Sequence, residues 1–267
     1  MDIQRFQKAI SLRDSGRLQD AVGEFDAMAR ETTDANEKAS LLINEVRCYS
    51  GLGYFSEAER VLSETHELRP DDVVVRLNVD FGGACLAAQK RETEKAALVF
   101  GRILRDYSEI LGTPEYRDLY EDIQQRRASA MVDVGRCAEA VPILRAARSF
   151  NSLKKEILQQ VKLDLGICHA ALGESVLAEE EFLEVINFGF NNEIEAQARF
   201  RLGIVYFTKR EFLKAKQQLE AILRLYQDEI ASLPRKYVYE QLSRSCHYLG
   251  DEASAKRYMG MAEQTGN

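Results

Sequence analysis

Small and bulky side chains recur along this chain in one fixed phase. Alanine stands at Ala21, Ala58, Ala96, Ala140, Ala178, Ala215 and Ala255, at intervals of 37, 38, 44, 38, 37 and 40 residues. Four residues after each comes a bulky apolar side chain: Phe25, Leu62, Phe100, Leu144, Phe182, Leu219 and Met259. Nine residues before stand Leu12, Tyr49, Ala87, Met131, His169, Tyr206 and Cys246. Twelve residues before, the side chain is mostly small: Ala9, Val46, Ala84, Ala128, Gly166, Gly203 and Ser243. Five residues before the alanine, Gly16, Gly53, Gly135, Gly173 and Gly250 fill five of the seven places, and Arg91 and Arg210 fill the other two. Glycine makes up only ~7% of an average protein, so this register is not chance.

Spacings of three and four belong to the α-helix, and a glycine between two such stretches marks a turn. Each repeat therefore reads as helix, turn, helix. The small residue on the first helix and the alanine on the second let the two helices approach closely, and the large residues fill the space beside the crossing. Glycine suits the turn because a positive φ costs it little. Arginine at 91 and 210 implies a strained or altered turn. First helices are predicted near 2–14, 36–52, 72–89, 114–134, 152–172, 192–208 and 234–248. Second helices are predicted near 18–30, 55–68, 92–111, 137–149, 175–187, 211–230 and 251–264. The repeats then run near 2–33, 36–70, 72–111, 114–149, 152–189, 192–230 and 234–264. Pro70-Asp71-Asp72, Thr113-Pro114, and Asn192 with Glu195 supply helix-start signals. The 44-residue interval puts an insertion around 105–120, where the second helix of the third repeat is expected to run long.

The register resembles the tetratricopeptide repeat. Leu165-Gly166, Leu202-Gly203 with Tyr206, and Gly53-Tyr54-Phe55-Ser56-Glu57-Ala58 carry the likeness, with Pro70 where that family ends its second helix. It covers nearly the whole chain. No repeat has the family's tryptophan, and the spacing exceeds the family's ~34 residues, which points to a longer-helix branch. The resemblance implies an all-α fold, a right-handed α-solenoid forming a single superhelical domain over 1–267. It also implies a non-enzymatic scaffold or adaptor, whose first helices line a concave groove that takes a segment of another protein. The longer repeats also resemble those of bacterial peptide-responsive regulators. That second reading implies a receptor whose superhelix changes pitch on binding a short peptide. A chaperone-tail clamp is not expected, because Phe6 and Ile10 occupy the first-repeat places, although Asn44 matches in the second.

Charge narrows the partners. The chain has 36 Lys and Arg against 43 Asp and Glu, a net charge of −7. That argues against nucleic acid, whose readers carry a basic stripe, and against a basic membrane-surface helix. Met1 to Lys8 has no apolar core of a secretory leader, and no apolar run reaches the ~18 residues of a spanning helix, so a cytoplasmic protein is expected. Residues 201–267 carry 11 positive and 8 negative charges, against 25 and 35 in the preceding 200, a mild asymmetry that either orients a partner or reflects a solvated surface.

Candidate chemistry is sparse. Cys48, Cys85, Cys137, Cys168 and Cys246 are odd in number and none lies within four residues of another, so free, mostly buried thiols are expected. His66, His169 and His247 form no metal-ligand spacing, and His169 is expected to be a hydrogen-bonded core residue. No phosphate loop occurs, and Gly82-Gly83 reads as a close-packing point. No metal, cofactor or catalytic set is expected. Glu179-Glu180-Glu181 with Glu184 reads as a solvated face or as a patch for a basic partner.

The groove is the candidate site. Helical phase places the polar residues Asn44, Arg47, Asn78, Gln125, Arg126, Ser129, Gln160, Gln197, Arg201, Gln241 and Arg244 along it. The apolar residues there are Phe6, Ile10, Ile43, Phe81, Leu163, Ile167, Phe200, Ile204, Phe207 and Tyr237. Asn and Gln both donate and accept, so they either hold a peptide backbone or bond the neighbouring helices. Arginines add contacts to carboxylates. The last helix carries Tyr258, Met259 and Met261 with no capping helix after it, so a second copy in a homodimer, or another partner, is expected over that end.

Overall fold

A computed structural model describes residues 2–150, 154–226 and 233–265. Among them the chain is helical throughout, without a β-strand. The first unit, Met1–Val134, holds α1 (Ile3–Asp14), α2 (Leu18–Glu31), α3 (Ala35–Gly51), α4 (Phe55–Glu67), α5 (Val73–Gln89), α6 (Thr93–Asp106), the short α7 (Ser108–Leu111) and α8 (Arg117–Asp133). The second, Gly135–Asn267, holds α9 (Cys137–Ala147), α10 (Lys155–Ala171), α11 (Ser175–Phe188), α12 (Asn192–Thr208), α13 (Phe212–Leu225), α14 (Arg235–Tyr248) and α15 (Glu252–Gln264). The seam between the units falls in the turn of the fourth repeat. Within each unit, every helix packs on its neighbours in sequence, and first helices also touch the next first helix, as α3 touches α5, α10 touches α12 and α12 touches α14. This is an all-α solenoid of helical hairpins.

The turns explain the glycine register. Gly16, Gly53, Gly135, Gly173 and Gly250 take φ between 77° and 81°. The amide that follows bonds back to the first helix: Arg17 N to Leu12 O at 2.9 Å, Tyr54 N to Tyr49 O at 2.9 Å and Glu174 N to His169 O at 2.8 Å. Each is a left-handed cap that satisfies carbonyls the helix end leaves open. Arg91 and Arg210 adopt the same turn at φ 60° and 61°, with Glu92 N to Ala87 O at 2.9 Å and Glu211 N to Tyr206 O at 2.8 Å. The arginines are therefore strained in an unaltered turn, at a cost of about 1–2 kcal/mol each. Aspartate caps the starts of α1, α3 and α5 through Asp2, Asp34 and Asp72.

The structure departs from the sequence expectation in three places. Asn191, not Asn192, caps α12, accepting from Glu193 N at 2.9 Å and Ile194 N at 3.1 Å. The second helix of the third repeat does not run long. It ends at Asp106, and the helix is interrupted at Tyr107, whose hydroxyl donates to Asp80 at 2.7 Å. A short helix and a 3-10 turn over Pro114–Tyr116 then absorb the insertion. Met259 is exposed rather than packed, because Tyr258 and Ala262 face inward from α15 instead. The expected starts at 152 and the expected end at 230 lie outside the described residues.

All seven register alanines are buried. A Cβ built on Gly166 would stand 2.6–2.7 Å from two ring carbons of Phe182, and one on Gly203 would stand 3.1 Å from Leu219 Cγ. Phe182 and Leu219 are the bulky residues four positions after their alanines, so the small–large pair is a real contact across these two hairpins. A Cβ on Gly82 would collide with the Ile43 side chain, which confirms the close approach of α5 to α3.

One ionisable group is stranded in the first unit's core. Glu45 on α3 is 3% exposed, and its Oε1 has no hydrogen-bond partner. Burial, with Asp26 and Glu64 nearby, pushes its pKa up to about 8. The folded chain then holds a proton that the unfolded chain has released, so this group lowers stability as pH rises from the ordinary carboxyl range towards 8.

Two outcomes follow for stability. Ala178→Leu and Ala215→Leu should each cost about 1–3 kcal/mol by overpacking, whereas Glu180→Leu on the exposed face should cost less than about 0.5 kcal/mol; urea melts measure both. Glu45→Gln should match the parent chain near pH 4 and exceed it by about 4 kcal/mol at pH 8, given ~1.4 kcal/mol per tenfold change in protonation between the ordinary carboxyl range and about 8. Parallel melts that keep a constant gap across pH would refute the buried acid.

Candidate functional site

Burial at the residues nine and twelve before each alanine turns a different stripe of the first helix outward. Most of the polar groove candidates fall on it, at 18, 14 or 11 residues before the alanine: Asn78, Gln160 and Gln197; Asn44, Arg126, Arg201 and Gln241; Arg47, Ser129 and Arg244. Offsets of four and three keep these on one face. Gln125 lies one step off the stripe and is buried.

In the first unit, most of these side chains are engaged within their own helices. Asn44 is buried; its Nδ2 donates to Ser40 O at 2.8 Å, and its Oδ1 accepts from Arg13 at 2.5 Å. Asn78 donates to Val74 O at 3.0 Å, and Gln125 donates to Ser129 at 3.0 Å. Arg126 pairs with Asp122 at 2.9 Å and lies 5.9 Å over Phe81. Arg47 differs. It is half-buried beside Arg13 and makes no ion pair among the described residues. Burial, reinforced by Arg13, depresses its pKa, the environment of a cation that lacks its counter-charge.

In the second unit, Gln160 donates to Asp164 at 2.8 Å. Gln197 is half-buried and Arg201 is exposed on α12, and Arg201 enters no ion pair among the described residues. Gln241 and Arg244 on α14 come together with Ile204 and Phe207 on α12 around one hollow of about 510 Å³. Arg244 donates to Gln241 at 3.3 Å and stacks 4.8 Å over Phe207. Phe212, Tyr248 and Arg210 complete the wall. Sequence reasoning missed these three, although Tyr248 gives a signal: seven residues before the other alanines stand Asp14, Gly51, Gln89, Asp133, Ala171 and Thr208, none aromatic.

The remaining candidate groups are structural. Burial pushes the Cys48 thiol to about 11 and raises Cys85, Cys168 and Cys246, which leaves these thiols protonated and poorly nucleophilic near neutral pH. His169 is buried with Nδ1 2.5 Å from Glu174. Glu179 accepts from Tyr206 at 3.0 Å and Lys209 at 2.6 Å, while Arg148 binds Glu181 at 2.6 Å and Glu184 at 2.9 Å. The acidic run therefore stitches α11 to its neighbours. Among the described residues, no group of three His, Cys, Asp or Glu is placed to hold a metal ion, and no helix is long and apolar enough to cross a membrane.

No protein-family model matches the sequence, and no curated protein does either. Solved structures do match in fold. A tetratricopeptide repeat protein from Parabacteroides merdae aligns over 99% of this chain and 93% of its own, at 17% identity and a TM-score of 0.64. A signal-transduction ATPase with a tetratricopeptide repeat sensor from Pyrococcus horikoshii aligns over 97% of this chain and 41% of its own, at 16% identity and a TM-score of 0.74. The apo form of RapI aligns over 98% and 75%, at 12% identity and a TM-score of 0.72. With the turn register and the small–large contacts, these likenesses show that the chain has the tetratricopeptide-type helical-repeat fold.

Proposed function

We propose that this protein is a non-enzymatic interaction scaffold, an adaptor that binds a segment of another protein along the outward stripe of its first helices. The observation that carries this reading is that each unit has guanidiniums without a carboxylate among the described residues, Arg47 in the first and Arg201 and Arg244 in the second, in a chain whose net charge is −7. An unpaired guanidinium is poised to take a carboxylate bidentately. The amides that sequence alone would assign to peptide binding are mostly committed to their own helices, so charge rather than backbone recognition dominates the face. A cytoplasmic setting and a protein partner, rather than nucleic acid or membrane, suit the acidic surface and the free thiols.

A peptide-sensing receptor is the second reading. It is favoured by the likeness to the sensor-bearing ATPase. There, a short soluble peptide would raise the melting temperature by mass action.

The scaffold reading predicts that Arg47→Gln combined with Arg201→Glu leaves the melting temperature within about 2 °C, since neither residue makes an ion pair among the described residues. The same pair should reduce co-purifying proteins at least fivefold by quantitative mass spectrometry, on the order of 1 kcal/mol of binding. Undiminished recovery of every co-purifying protein would overturn the assignment of this face.

A further inference from the structure

We propose that the hollow between the ends of α12 and α14 is an anchor site for an acidic peptide segment, in which a leucine or phenylalanine side chain enters the aromatic wall and an adjacent carboxylate meets Arg244 and Arg210. The inference rests on the scaffold reading and names its ligand class and principal pocket. The wall is an aromatic cluster. Phe207 meets Phe212 at 5.3 Å and Tyr248 at 5.4 Å, while Phe212 and Tyr248 stack at 4.8 Å with their rings 13° from parallel. Tyr248 nevertheless remains 61% exposed, so the cluster presents a ring to solvent that the interior does not absorb.

Charge sets the second half of the ligand. The residues lining the hollow include two arginines and no carboxylate, and neither arginine enters an ion pair among the described residues. The adjacent charges are already matched, with Lys209 on Glu179 at 2.6 Å and His247 beside Glu252 at 2.7 Å. Another hollow, between α4, α5 and α6, is lined by Glu59, Asp80 and Glu92 alongside its cations and lacks this one-signed character. Gln241 accepts from Arg244 and orients its guanidinium over Phe207.

The turn places the second arginine. Arg210 holds a left-handed turn that five other repeats give to glycine and the third gives to Arg91, and its side chain borders the hollow. The size also fits: about 510 Å³ holds one large apolar side chain with its flanking groups. Two cations in an acidic chain do not make the extended basic track that a nucleic acid requires.

The test uses the full chain and a random octapeptide display library. Selected peptides should pair a leucine or phenylalanine with Asp or Glu within two positions. By fluorescence polarisation, their affinity should fall at least about tenfold in Arg244→Glu and in Tyr248→Ser, as expected for hot-spot residues. Both residues are exposed and give up only ring contacts, so circular dichroism melts should remain cooperative and within about 5 °C of the parent chain. Recovery of no peptide, recovery of peptides without the apolar–acidic pair, unchanged affinity in both variants, or displacement of the peptide by a single-stranded 12-nucleotide DNA would overturn the proposal. Binding lost in Arg47→Gln with Arg201→Glu but kept in Arg244→Glu would remove the anchor while leaving the scaffold reading intact.

Discussion

Where α10 crosses α11, there is no room for a single carbon atom beyond the backbone of Gly166. The ring of Phe182 fills that space, and a methyl group there would overlap it. Leu219 does the same over Gly203, and the alanine one helical turn before each bulky residue is sealed. These contacts set the separation of the paired helices. Once that is fixed, the left-handed turn is the short way to join them, and the rows nine and twelve residues before the alanine are committed to the interior. What remains of each first helix is a narrow outward stripe, and the proposed partner-binding residues lie there.

The register of that packing is legible in sequence because it depends on side-chain volume, which residue type reports directly. Glycine at 166 and 203, alanine at 178 and 215, and the recurring turn glycines all take the places their size and φ demand. The departures occur where two residues compete for one role. Asn191 and Asn192 both suit a helix start, and backbone direction selects the first. Tyr258 and Met259 both suit a core, and with no helix beyond α15 among the described residues, Tyr258 takes the interior and donates its hydroxyl to Glu220 at 3.2 Å. Tyr107 interrupts a helix that composition would continue, leaving helical φ and ψ while its hydroxyl donates to Asp80.

The candidate site was less legible for a physical reason. Helical phase identifies which residues face outward, but not which of them are already satisfied. Asn44, Asn78, Gln125 and Gln160 each spend a donor on a residue four positions away in the same helix. Arg126 likewise closes on Asp122. The groups left open are guanidiniums, and the hollow between α12 and α14 draws on Arg210 in a turn, on Phe212 at the start of α13 and on Tyr248 at the end of α14, outside any simple face of the first helix.

The small–large contact at the α10–α11 crossing is tested most directly by a double-mutant cycle at Gly166 and Phe182, read by urea unfolding. Gly166→Ala alone should destabilise the chain by about 1–3 kcal/mol despite alanine's better helix propensity. Combined with Phe182→Leu, the new methyl group gains space, and the double variant should be more stable than the sum of the single losses by at least about 1 kcal/mol. Strict additivity, or a stabilising Gly166→Ala, would contradict a packing limit at this crossing.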